Sequence, residues 1–158
     1  MQKISILTIS LVLFLFSGCL SLSVFAQSIQ RINHADLINT IHNDNGRAVL
    51  VVFWATWCRP CRKELPELKN LRDSFSKEEL KVLGISIDYD PQKLAAFLSR
   101  YSFNFPIYLA TADTTNIFRV QGVPKMMLYD QKGQCVFSHA GKYPLSKLKG
   151  QISKVLER

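Results

Sequence analysis

Residues 53 to 66 read FWATWCRPCRKELP, with Cys58 and Cys61 three positions apart. Such a pair can hold a metal, carry a haem, staple a fold or exchange electrons. A closed zinc site takes four ligands, commonly two such pairs or one pair with two histidines. Only one pair is present, and His34, His42 and His139 are scattered without ligand spacing, so no metal is expected. A c-type haem needs histidine directly after the second cysteine, where Arg62 stands instead.

A structural disulfide is the plain alternative, because exported proteins use paired cysteines as staples. Yet a bridge across three residues closes a very small loop, and the stabilisation from a crosslink grows with loop length. Position argues for redox chemistry. The pair falls where an apolar strand ends and a helix begins, and the free amides and positive dipole of that helix end favour a thiolate at Cys58. Arg59 adds a positive charge beside it. Pro60 is tolerated in a first turn because it has no N–H to lose. Cys61, one turn in, should be the less exposed thiol, which makes Cys58 the attacking sulfur and Cys61 the resolving one.

The elements that position the pair follow from periodicity. A short strand is expected within 28–32, then a helix from an Asn33 cap through Ile41, ending at Asn43-Asp44-Asn45-Gly46. AVLVVFWA (48–55) is a continuous apolar run, as in a strand buried on both faces. Leu65, Leu68, Leu71 and Phe75 mark an amphipathic helix over 59–75, with a kink expected at Pro66. VLGISID (82–88) reads as a second buried strand. Asp90-Pro91 opens a helix carrying Leu94, Phe97, Leu98 and Tyr101. Strand 105–110 and a short helix over 114–120 come next. KMMLYD and CVFSHAG then form a hairpin about Gln131-Lys132-Gly133, and a helix over 145–156 closes the chain. The order is an α/β sandwich with parallel crossovers first and an antiparallel hairpin last.

Hydrophobic residues are 47% of the 158 and charged residues 20%, which excludes a disordered chain. From Ile4 to Ala26 there is no charge, preceded by Lys3 alone. This segment, 1–26, is expected to be a cleaved signal peptide ending at Val24-Phe25-Ala26, a lipoprotein signal acylated at Cys19, or an uncleaved anchor. Each reading puts the domain 27–158 outside the cytoplasm, in the periplasm or at the cell exterior. The net charge of +8 is spread along the chain, with no aromatic-interleaved basic block, so no nucleic-acid partner is expected. The basic surface is expected to attract anionic lipid heads mildly.

Trp57-Cys58-Arg59-Pro60-Cys61 resembles the thioredoxin-family W-C-x-P-C signature, and the likeness covers residues 29 to 157. Pro66 resembles that family's helix proline, and Val123-Pro124 its cis-proline loop. CRPCRKELP, ISIDYDPQKLAAFL, FPIYLA and GVPKMMLYDQKG are similar to the TlpA/ResA group of extracytoplasmic thiol-disulfide oxidoreductases. The resemblance implies a thioredoxin fold with an inserted helix-strand unit at 91–110. It implies a redox-active Cys58–Cys61 disulfide and no bound cofactor. Trp57, Pro60, Val123 and Pro124 become substrate-binding residues, and the Val123 backbone would pair with an extended client strand. Glu64 is similar to the group's glutamate, a candidate to relay the proton of Cys61; the alternative is an acid that merely suits the helix dipole. Implied partners are exported disulfide proteins, apocytochrome c among them, and a membrane thiol-disulfide carrier as electron donor. Two departures stand out: Val52 and Gly84 occupy positions where thioredoxins carry a buried acid and a lysine. The N-terminal hairpin usual in the group is also missing.

Two rival functions use the same fold. One is a disulfide donor, since Arg59 beside Cys58 stabilises the reduced form. The other is a copper-delivery module binding Cu(I) through the pair and a histidine, for which His139 is the candidate. Cys135, on the late hairpin, is expected to be a small buried hydrophobe.

Overall fold

The computed structural model describes residues 29–44 and 46–157. The expectations for residues 1–26, Cys19 included, lie outside them. The described residues form β1 (Arg31–Ile32), α1 (His34–His42), β2 (Ala48–Trp54), α2 (Arg59–Asp73), β3 (Leu80–Ser86), α3 (Pro91–Leu98), β4 (Ile107–Ala110), α4 (Ala112–Ile117), β5 (Lys125–Tyr129), β6 (Cys135–Ala140) and α5 (Leu145–Leu156). This is the element order read from the sequence.

The strands make one sheet in the order β1-β4-β3-β2-β5-β6. β1, β4, β3 and β2 run parallel to one another, β5 is antiparallel to β2, and β6 is antiparallel to β5. The inserted unit is present as α3 and β4, and β4 wedges between β1 and β3. β2 lies between β3 and β5, and all seven of its residues are buried. Because strand side chains alternate in direction, the run feeds two cores. Ala48, Leu50, Val52 and Trp54 join Leu65 and Leu68 of α2, Leu94 of α3, and Leu148 and Ile152 of α5. Val49, Val51 and Phe53 join Leu37 and Ile41 of α1 on the other face. Each such aliphatic side chain contributes about 1.5–3 kcal/mol through burial. α2 and α5 thereby clamp one face and the strand end that leads into Cys58.

Local chemistry sets the boundaries. Asn33 caps α1, its side chain accepting from the Asp36 amide at 2.9 Å, and Asp90 caps α3 by accepting from Gln92 at 2.9 Å. His34 Nδ1 lies 2.5 Å from Asp113 Oδ2, joining the start of α1 to α4. In the β5–β6 turn, Asp130 Oδ1 accepts from the Lys132 and Gln134 amides, and Gly133 takes φ +74°. α2 continues past Pro66. Cys135 corrects its expectation: it is exposed. β6 is the sheet edge, and the register shifts between Leu128 and Tyr129, where Tyr129 faces Cys135.

Val52 faces Gly84 across β2 and β3. A Cβ at Gly84 would overlap the Ile107 side chain and stand 3.3 Å from Phe105 and 3.4 Å from the Trp54 indole nitrogen. Overpacking of this kind costs about 1–3 kcal/mol. Gly84→Val is therefore expected to lower the urea midpoint by a corresponding amount; an unchanged midpoint contradicts the packing.

Candidate active site

β2 ends at Trp54, and α2 begins five positions later at Arg59. Cys58 is the N-cap, and its sulfur accepts the Cys61 amide hydrogen at 3.2 Å. The Arg62 amide donates to the Cys58 carbonyl at 3.1 Å. Pro60 lies in the first turn, where no carbonyl awaits its missing N–H. Cys58 and Cys61 are joined in a disulfide with S–S 2.04 Å.

The Val123–Pro124 bond is cis, and the loop brings the Val123 carbonyl oxygen within 3.6 Å of Cys58 Sγ. The disulfide sulfur has no proton, so this is a contact; it becomes a hydrogen bond only when Cys58 is a protonated thiol. Cys58 is 4% exposed and Cys61 2%. The order is as expected, but an openly reachable Cys58 sulfur is not found. The Val123 carbonyl and the bridge to Cys61 cover it in this oxidised form. Trp57, by contrast, is 57% exposed beside the pair, and Pro60 is exposed, while Pro124 is buried and Val123 half-buried.

Glu64 sits on the inward side of α2, 4% exposed, and neither carboxylate oxygen has a hydrogen-bond partner. Burial raises its pKa above the ordinary 4.5, and Glu67 adds to the rise; the Lys142 charge and the Tyr143 amide act in the opposite direction. Of the residues read from the sequence, the fold gathers Cys58, Cys61, Trp57, Pro60, Val123 and Pro124 at one end of the sheet. His139 is packed against Phe137 and Tyr143 instead. Among the described residues no group of three or more His, Cys, Asp or Glu could hold a metal ion.

Asp88 escaped the sequence reading. It is buried just beyond β3 and braces the turn before Cys58. Its carboxylate accepts from the Thr56 amide at 3.0 Å, the Thr56 hydroxyl at 2.6 Å and the Ser86 hydroxyl at 2.7 Å. Arg62 Nη1 donates to the Thr56 carbonyl at 3.0 Å, so the turn is held from both sides. The local signal was Ser86-Ile87-Asp88, two short polar residues closing an apolar strand, but their partner is 32 positions away.

A mixed sheet with helices on both faces, a disulfide at the start of a helix and a cis-proline loop against its first sulfur define a thioredoxin-like protein. The sequence model of the AhpC/TSA family matches residues 22–142, and the chain belongs to that family. The thioredoxin-like protein YneN of Bacillus subtilis (strain 168) is 29% identical over 106 residues, 65% of this chain and 62% of that protein. The thiol-disulfide oxidoreductase ResA of Bacillus thuringiensis (strain Al Hakam) is 25% identical over 111 residues, 70% and 64%. This chain thus spans under two thirds of the length of either relative. A crystal structure of a putative thiol:disulfide interchange protein DsbE from Chlorobium tepidum superposes with a TM-score of 0.66 at 26% identity, covering 72% of this chain and 83% of that one.

Two outcomes test this geometry. Asp88→Ala leaves the Thr56 and Ser86 donors without an acceptor, each at a cost of about 1–3 kcal/mol. Its urea midpoint should fall accordingly, whereas an unaltered midpoint denies that the brace matters. For Glu64 the folded pKa exceeds the unfolded one, so its favourable contribution is complete below 4.5 and is lost as pH rises through the folded value. Glu64→Gln should therefore gain stability relative to the parent as pH rises above 4.5; parallel stability–pH curves would contradict the raised pKa.

Proposed function

We propose that the chain is an extracytoplasmic thiol-disulfide oxidoreductase working in the reductive direction on exported proteins. The observation that carries this reading is the Cys58–Cys61 disulfide at the α2 N-terminus, against the Val123 carbonyl. In the reduced form the helix end favours the Cys58 thiolate. That thiolate attacks one sulfur of a client disulfide, forming a mixed disulfide and releasing the other client sulfur as a thiolate. Cys61 loses its proton and displaces the client from Cys58. The client leaves as a dithiol, having gained two electrons and two protons, and the protein returns to the disulfide.

Glu64 is a candidate to take the Cys61 proton: it is buried, unpartnered and raised in pKa, which suits a group that alternates between charged and neutral forms. Trp57 and Pro60 offer exposed surface to the client beside the sulfurs, and the Val123 backbone ahead of Pro124 offers an edge for an extended strand. No bound cofactor is required, since the electrons arrive as thiols. A membrane thiol-disulfide carrier is the proposed donor, and apocytochrome c a proposed client among exported disulfide proteins. The apolar segment 4–26 supports export, by a cleaved signal, lipidation at Cys19 or anchoring. Among the described residues no helix is long and apolar enough to cross a membrane.

Disulfide donation is the second reading, favoured by Arg59 beside Cys58. A measured potential near about −120 mV would establish that direction and reject the reductase. Roles within the pair are tested by trapping. Cys61→Ser should accumulate mixed disulfides with exported proteins, resolved on non-reducing gels, and Cys58→Ser should accumulate none. Equal trapping by both variants would reverse or abolish the assignment.

A further inference from the structure

The start of α2 carries charge of the wrong sign for a helix. Arg59 and Arg62 lie in its first turn and Lys63 follows, with no acidic residue in that turn. The positive end of the helix dipole prefers carboxylates there by about 0.3–1 kcal/mol each. Lys142, on the segment after β6, approaches the same end and lies close enough to act on Glu64. All four cations are exposed. Among the described residues the ion pairs are His34–Asp113, Arg47–Asp44 and Lys81–Asp44, none of them here. Glu67 stands four positions after Lys63, the spacing at which helices commonly pair opposite charges, yet no pair forms. Arg59, Pro60, Lys63 and Lys142 line a cleft of about 230 Å³. Arg62 is engaged with the Thr56 carbonyl and Arg59 flanks Cys58, but helix stability does not account for Lys63 and Lys142 on the same cleft, whereas an anionic ligand does.

We propose that the cleft receives an acidic stretch of the client polypeptide adjoining its disulfide, so that charge selects among clients. This rests on the oxidoreductase reading and adds the substrate class to it. Arg59 offers a planar fork to a carboxylate, and Lys63 and Lys142 offer ammonium groups on long stems. Because the cations are exposed, the gain lies mainly in encounter rate and discrimination and is sensitive to salt. The cleft is walled by Arg59 and Pro60, the residues between the two cysteines, so a segment seated there is delivered to the sulfurs.

The test compares two synthetic peptides with the same disulfide ring, one flanked by aspartate and glutamate, the other by lysine. Enzyme recycled by dithiothreitol should reduce the acidic peptide with roughly tenfold higher kcat/KM at low ionic strength, and the ratio should fall toward one as salt is added. Lys63→Glu with Lys142→Glu should invert the preference, and Lys63→Gln alone should diminish it; both side chains are exposed, so the fold is not at stake. Equal kcat/KM for the two peptides, or a preference that charge reversal leaves intact, overturns the inference and leaves the oxidoreductase reading standing. Binding of the protein to phosphatidylglycerol vesicles without discrimination between peptides would assign the charge to a membrane surface and overturn it too. Reduction of neither peptide overturns the oxidoreductase reading itself, and the inference with it.

Discussion

A helix that starts where a buried strand ends leaves amide hydrogens in need of acceptors, and at the start of α2 a sulfur meets one of them. That contact between Cys58 Sγ and the Cys61 amide is the constraint on which the site depends. It fixes the first sulfur at the helix end, where anionic charge is favoured, and sets the second one turn inside. A serine or aspartate would cap the helix as well; neither would carry electrons. The remainder of the fold serves to bring this junction to one place. β2 is held between β3 and β5 and covered on both faces, so its C-terminal end cannot wander.

Two opposing influences act on the Cys58 sulfur. The helix end and Arg59 place positive charge beside it, whereas burial and the Val123 carbonyl at 3.6 Å surround it with groups that disfavour negative charge. A sulfur under only the first influence would be a weak nucleophile, because nucleophilicity falls with pKa. The proposed substrate-binding edge thus lies directly against the sulfur proposed to attack.

Local patterns made most of the fold legible. The apolar run at 48–55, the caps at Asn33 and Asp90, and the Gly133 turn each declare their element within a few residues, so the order of strands and helices could be read directly. What could not be read depends on distant partners. Asp88 looks like a loop acid until Thr56 is brought to it across 32 positions. Cys135 looks like a core residue by type, and only its place on the sheet edge exposes it. The coverage of Cys58 is likewise a long-range effect, imposed by a carbonyl 65 positions later.

The two buried carboxylates near the site divide their labour by how well they are satisfied. Asp88 accepts hydrogen bonds from Thr56 and Ser86, a fully engaged arrangement suited to holding a turn. Glu64 is as deeply buried but makes no well-formed hydrogen bond, with only the Tyr143 amide and the Lys142 charge near enough to favour its ionised form. An unpaired buried acid is costly to retain on structural grounds alone, because apolar replacement would relieve it. Where thioredoxins carry a buried acid and a lysine, this chain pairs Val52 with Gly84 across two strands and packs Ile107 over the glycine. With that site filled by apolar groups, and Asp88 occupied, Glu64 is the remaining buried carboxyl on the α2 side able to change protonation without dismantling a hydrogen-bond network. Glu64 lies beyond the first turn of α2, where the free amides are, so the helix dipole acts on it weakly.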